Sequence, residues 1–175
     1  KNIEYDALKG KLVEQDPSDK PAFVLSERKK KEEQQLKKKN KESYSFRGTD
    51  NLHYEQIGKK ARCIDDEIPF EIPDSWEWTR LINIGEWRSG ATPSKSKLEY
   101  YKNGTIPWLL TGDLNNGIIE DVPNKITSLA LDETSVKLNP KGSILIAMYG
   151  ATIGKLGILS FPATTNQACC ACNVY

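Results

Sequence analysis

The stretch Ser143-Ile144-Leu145-Ile146-Ala147-Met148-Tyr149, followed by Gly150-Ala151-Thr152-Ile153-Gly154 and then Lys155-Leu156-Gly157-Ile158-Leu159, decides the fold class. Two short apolar runs flank a glycine-bounded break, which is the pattern of strand, turn and strand. The neighbouring sequence has the same texture. Ile82 to Ile84, Ile106 to Leu110, Ile118-Ile119, Leu156 to Phe161 and Ala168 to Val174 are brief apolar stretches cut by turn residues. From Ile68 onward the expectation is a sheet-rich α+β domain with a few short helices, one of them at Ala130-Leu131-Asp132-Glu133-Thr134.

The sequence before Ile68 is different. Ile3, Ala7, Leu8 and Leu12 form one apolar stripe, and Asp16-Pro17 stops it because a residue before proline is pushed out of the helical region, so a helix is expected over 2–14. A second helix is expected from Asp19-Lys20-Pro21 through Ala22, Val24 and Leu25 to Leu36, with Asp19 as cap and Pro21 in the first turn. Its far half is polar. Arg28 to Lys41 holds eight basic and two acidic residues, a run that either attracts phosphate or is a solvated helix tip. Lysine runs without aromatic or arginine partners more often serve solubility than binding, which favours the solvated tip. Gly48, Asp50-Asn51, Gly58 and the aromatics Tyr44, Phe46 and Tyr54 read as a connector with a short hairpin. The expected division is a helical arm over 1–41, a connector over 42–67 and the sheet-rich domain over 68–175.

Charge follows the same division. Residues 1–64 carry 16 Lys and Arg against 11 Asp and Glu, a net of +5, whereas residues 65–175 carry 9 against 13, a net of −4. The longest apolar run, Ile144 to Met148, is far short of the ~20 residues that span a bilayer. Lys1 to Gly10 mixes charges with apolar residues and lacks the apolar core of a signal peptide, so a cytoplasmic location is expected. The chain starts without methionine and closes inside an apolar run, so a longer protein is expected to continue on at least one side.

Residues able to do chemistry are sparse. Cys169, Cys170 and Cys172 are too close together for tetrahedral metal spacing, and the single histidine, His53, is distant, so the cysteines read as small apolar residues of a buried strand. Gly150 to Lys155 has one residue too few between its glycines for a phosphate-cradling loop, and Leu156 stands where a metal-binding Ser or Thr belongs. No Asn/Asp-Pro-Pro-aromatic methyltransferase motif is present, and one histidine does not make a triad. The carboxylate pairs Asp65-Asp66 and Glu120-Asp121 sit in turn-like settings. The residues describe a binding module with no catalytic residues and no cofactor of its own.

A series of motifs then carries a resemblance to a known family. Glu67-Ile68-Pro69-Phe70-Glu71-Ile72-Pro73-Asp74-Ser75-Trp76-Glu77-Trp78 with Arg80-Leu81, Ser89-Gly90-Ala91-Thr92-Pro93-Ser94, and Tyr100 with Gly104-Thr105-Ile106-Pro107-Trp108 occur in order. Gly112-Asp113-Leu114, Leu138-Asn139-Pro140-Lys141-Gly142-Ser143, Gly150 to Lys155 and Thr165-Asn166-Gln167 follow. Together they resemble a target-recognition domain of type I restriction-modification specificity subunits. Gly10 to Pro17 with Lys20-Pro21-Ala22 is similar to the end of that family's spacer helices, with Glu14 where proline is frequent. The resemblance covers roughly residues 8–170, and a domain incomplete at its C-terminus is expected.

The resemblance implies a fold and a division of labour. A sheet-rich recognition domain with short helices follows a helical arm from the spacer region, and two such domains each read half of a split double-stranded DNA site. Separate modification subunits use S-adenosylmethionine, and separate restriction subunits use ATP and magnesium. The arm's stripe, Ile3, Leu8, Leu12, Val24 and Leu25, would pack on a partner helix.

For DNA, the best candidate zone is residues 80–102, where Arg80, Arg88, Lys95, Lys97 and Lys102 outnumber Glu86 and Glu99 around the hydroxyl-rich loop Ser89 to Ser96. Arginine and lysine there suit guanine edges or phosphates, and Ser89, Thr92 and Ser94 suit either. Asn115, Asn116 and the turn from Tyr149 through Thr152 to Lys155 are further candidates. The glycines, prolines and tryptophans of the shared motifs read as scaffold. Two other readings stay open: a truncated or orphan subunit acting as an interaction module through its arm, and a nuclease or methylase.

Overall fold

A computed structural model describes residues 3–11, 13–22, 24 and 43–174, with side chains described from Asp6 onward. The chain forms two compact units, Lys1–Asn83 and Ile84–Tyr175.

In the first unit, helix α1 (Ile3–Leu8) ends sooner than the expected 2–14. Gly10, at φ +65°, turns the chain out of the helix. The N–H of Lys11 then bonds to Asp6 O at 2.8 Å and that of Gly10 to Ala7 O at 3.0 Å, a Schellman cap that closes the last turn. Of the second expected helix, only Ala22 and Val24 are described beyond Pro21, and the basic run to Lys41 lies outside the described residues. The stretch read as a connector folds into an antiparallel meander of β1 (Ser43–Arg47), β2 (His53–Ile57) and β3 (Lys60–Cys63). Glu55, on β2, is buried and holds two arginines. Arg62 reaches it at 2.8 Å and Arg80 at 3.1 Å, and both also bond to Glu67, at 2.7 and 2.6 Å. These arginines hold the carboxyls of Glu55 and Glu67 below the ordinary carboxylate range. Ile82, expected in an apolar stretch, lies in a 3-10 turn (Leu81–Asn83) and is exposed.

The second unit is the expected sheet-rich α+β fold. Its larger sheet has the order β4 (Gly85–Ser89), β11 (Cys169–Val174), β8 (Ile144–Ala147), β9 (Leu156–Leu159) and β6 (Gly117–Ile119). All neighbours are antiparallel except β6 and β9. The opening stretch of sequence is the β8–β9 hairpin, in register Ile144 with Ile158 and Ile146 with Leu156. A three-stranded sheet orders β10 (Thr164–Thr165), β5 (Ile106–Leu109) and β7 (Lys125–Ile126). Helix α2 (Ser128–Glu133), at the expected place, is N-capped by Thr127 Oγ1, which accepts the N–H of Ala130 at 3.3 Å.

One core gathers Leu109, Leu114, Ile119, Leu145, Leu159 and Cys169, and a second gathers Tyr100, Trp108, Ile126, Ala130 and Val136. Cys169 and Cys172 are buried on β11 as expected, and burial pushes the Cys169 thiol up to about 12. Period-2 alternation sends Leu145, Ala147 and Leu159 into the core and leaves Leu156 and Ile158 on the open face.

Candidate nucleic-acid interface

Strand direction decides which loops meet. Ser89 on β4 lies opposite Cys170 on β11, Cys170 opposite Ile146 on β8, and Ile146 opposite Leu156 on β9. The next partner of Leu156 is Asn116, whose N–H bonds to its carbonyl and whose Oδ1 accepts its N–H, each at 2.9 Å. This row marks one end of the larger sheet. There β4 and β8 run out and β11, β9 and β6 begin. The loops that leave this end are the Gly90 to Ser96 segment, Asn115-Asn116, the turn from Met148 to Lys155, and Asn166 to Ala168. Stretches up to about 80 residues apart in sequence therefore share one surface.

The loop after Ser89 is pinned through its backbone. The N–H of Gly90 bonds to Cys169 O at 3.1 Å, and that of Ala91 to Thr165 O at 2.9 Å. The indole N–H of Trp108 donates to Ala91 O at 3.1 Å, and the Tyr101 hydroxyl donates to Pro93 O. Burial raises the Tyr101 phenol, which keeps it protonated as a donor. Gly90 has no room for a side chain: a Cβ there would come closer than 3.0 Å to the Thr165 and Asn166 carbonyl oxygens. With the backbone so held, Thr92, Ser94 and Lys95 are exposed. Ser94 and Ser96 share a hydroxyl contact of 2.8 Å.

The Gly150 to Lys155 segment is the loop of an antiparallel hairpin, not a strand-to-helix phosphate loop. Ala147 N–H bonds to Lys155 O at 2.9 Å, and Gly154 N–H to Ala147 O at 3.0 Å, which closes the base of the turn. Tyr149 and Lys155 stand out exposed, with Thr152 half-buried between them. Asn115 caps its own turn, accepting the N–H of Gly117 at 2.9 Å, and Asn116 sits at φ +60°, so both asparagines shape the loop they occupy.

Of the other expected contacts, Arg80, Arg88 and Lys97 are paired within the chain. Arg88 faces the core side of β4, where it donates to Asn139 Oδ1 at 2.9 Å and to Leu138 O at 3.0 Å. Lys97 bonds Glu133 at 2.5 Å and lies over the Tyr100 ring, which raises the lysine and lowers the carboxyl. Lys102 is exposed near the start of β5, the far end of that strand from Leu109. Arg80 belongs to the first unit, where Glu55 and Glu67 match its charge. In the arm, Leu8 and Val24 are exposed at 58% and 37%; Leu12, Leu25 and the side chain of Ile3 lie outside the described residues.

Sequence reasoning passed over one exposed residue at the converging end. Gln167 lies between Asn166 and Ala168, and its Oε1 accepts a hydrogen bond from the Thr92 hydroxyl. Its place just ahead of the apolar run Ala168 to Val174, and so at a strand end, was the available signal. Among the described residues no group of three or more His, Cys, Asp or Glu is arranged to hold a metal. No helix among them is long and apolar enough to cross a membrane.

Fold and surface together define a sheet-rich module with polar loops gathered at one end. Residues 73–174 match the family described as type I restriction modification DNA specificity domain, and the chain belongs to that family. It is 37% identical over 94 residues to the type I restriction enzyme EcoR124I/EcoR124II specificity subunit of Escherichia coli, covering 52% of this chain and 23% of that one. It is 39% identical over 100 residues to the MjaIX specificity subunit of Methanocaldococcus jannaschii, covering 55% and 23%. To the EcoprrI specificity subunit of Escherichia coli it is 40% identical over 93 residues, covering 52% and 22%. The matched region spans less than a quarter of the length of these relatives.

Proposed function

We propose that this chain is the part of a specificity subunit that reads one half of a bipartite double-stranded DNA target. It catalyses nothing itself and directs modification and restriction subunits in the cytoplasm. The observation that carries the reading is the convergence of four loops on one end of the five-stranded sheet. They bring Ser89, Thr92, Ser94, Lys95, Tyr149, Thr152 and Lys155 to a surface suited to base edges and phosphates. Membership of the DNA specificity family supports it. Binding is electrostatically local, through Lys95 and Lys155, because residues 65–175 are net negative. S-adenosylmethionine would be bound by the modification subunits, and ATP and magnesium by the restriction subunits.

The test is to co-express the full-length subunit with its modification subunits and map methylated adenines across the host genome. Methylation confined to one split sequence is expected. Methylation without sequence restriction, with the proteins folded and associated, would overturn the reading.

A further inference from the structure

We propose that Gln167 is a specificity-determining residue that reads a base edge, with Thr92 as its positioning residue. The inference deepens the DNA-reading function and rests on it. Gln167 is exposed, yet the backbone on both sides of it is tied down. Asn166 N–H bonds to Leu109 O at 3.0 Å, and Ala168 O accepts Met148 N–H at 2.9 Å, so the side chain rises from a fixed base at the converging end.

The Thr92 hydroxyl orients the amide. It donates to Oε1, which leaves one lone pair of that oxygen and both Nε2 hydrogens for an external partner. A carboxamide offering a donor beside an acceptor matches the major-groove edge of adenine, which presents N7 as acceptor and its N6 amino group as donor. The same segment holds two further polar atoms that the fold does not use. Thr165 Oγ1 and Asn166 Oδ1 are buried without a hydrogen-bond partner, a rare condition in folded proteins that calls for an explanation. Of the two, Thr165 Oγ1 lies beside Gly90, where an added Cβ would come closer than 3.0 Å to it. Gln167 thus rises from a hydrogen-bonded backbone with its Nε2 hydrogens unspent, as a residue that awaits a polar ligand should.

The experiment selects binders from a pool of randomised duplex DNA, using the full-length subunit assembled with its modification subunits. Wild type is expected to enrich one split motif. Gln167→Ala is expected to relax a single adenine position by roughly five- to a hundredfold and to leave the other positions as they were. Gln167→Glu should move that position toward cytosine, whose amino group a carboxylate accepts. Thr92→Val should relax the same position more weakly, and Thr92→Ser should restore it. A motif unchanged in Gln167→Ala, or an equal loss at every position in a variant that melts like wild type, overturns the assignment. A wild type that enriches no motif overturns DNA reading itself, a result distinct from the other two.

Discussion

Replacing Gly90 by alanine tests how the sheet end is built. The added methyl carbon would come closer than 3.0 Å to the Thr165 carbonyl oxygen, Thr165 Oγ1 and the Asn166 carbonyl oxygen. Two of these are backbone atoms, which cannot move aside as a flexible side chain can. Relief requires β4 to draw back from the Thr165 to Cys169 segment, which breaks the bonds from Gly90 N–H to Cys169 O and from Ala91 N–H to Thr165 O. Two neutral hydrogen bonds at about 1 kcal/mol each, with about 1–3 kcal/mol for overpacking, give a loss of about 3–5 kcal/mol. In a unit of this size each kcal/mol moves the thermal midpoint by about 4–8 °C, so a fall of at least about 12 °C is expected. Gly112→Ala is the control, since a Cβ there meets nothing within 4 Å and its φ is not positive. That control should stay within about 0.5 kcal/mol of wild type. Urea and thermal unfolding of both variants measure the difference. A Gly90→Ala protein as stable as Gly112→Ala would refute the close-approach account.

Acid should weaken the first unit through Glu55. Its carboxyl is held below its ordinary value of 4.5 by Arg80 first and Arg62 next, so the stabilisation is complete above that value and fades as pH falls through the lower folded one. Glu55→Gln should therefore destabilise most near neutral pH, and the gap to wild type should close in acid; a gap that widens in acid contradicts this. Thiol chemistry gives a second check. With the Cys169 thiol at about 12 by burial, alkylation at about pH 8 should label exposed Cys63 and spare Cys169 until the protein unfolds. Lys95→Ala and Lys155→Ala should each lower the salt slope of DNA binding by about 0.9, the signature of one lost phosphate contact. Unchanged slopes would move the phosphate contacts to another surface.

Much of the second unit is legible in the sequence because its strands are short apolar runs between turns. The β8–β9 hairpin, β5, β6 and β11 all fall where such runs predict. Which face of a strand is buried is less legible. Ile144 to Met148 is apolar on both sides, so the sequence does not distinguish buried Leu145 from partly exposed Ile146. Strand β4 has no apolar run. Gly85-Glu86-Trp87-Arg88-Ser89 is a strand because β11 pairs with it, which is a tertiary cause. The helix read over 2–14 stopped at Leu8 because Gly10 caps it, a local signal that outweighed the apolar stripe.

The candidate site shows the same split between local and long-range information. Local charge density drew attention to residues 80–102, but the partners of Arg80 and Lys97 are Glu55, Glu67 and Glu133, all distant in sequence. Loops that do converge come from motifs up to about 80 residues apart, and only the order of the strands joins them. Thr92 was visible as a hydroxyl in a loop. Its partner Gln167 stood in the Thr165-Asn166-Gln167 motif just ahead of an apolar run, but nothing local linked it to Thr92.

The proposed function requires that DNA meet the end of the sheet marked by Ser89, Asn116, Tyr149 and Gln167. The most direct measurement places a photo-reactive benzoylphenylalanine at Tyr149 or, near the opposite end of β5, at Lys102, in the full-length subunit assembled with its modification subunits on target DNA. Cross-linking to DNA from position 149, with little from position 102, is the predicted result. Equal cross-linking from both, or cross-linking from position 102 alone, would contradict the account.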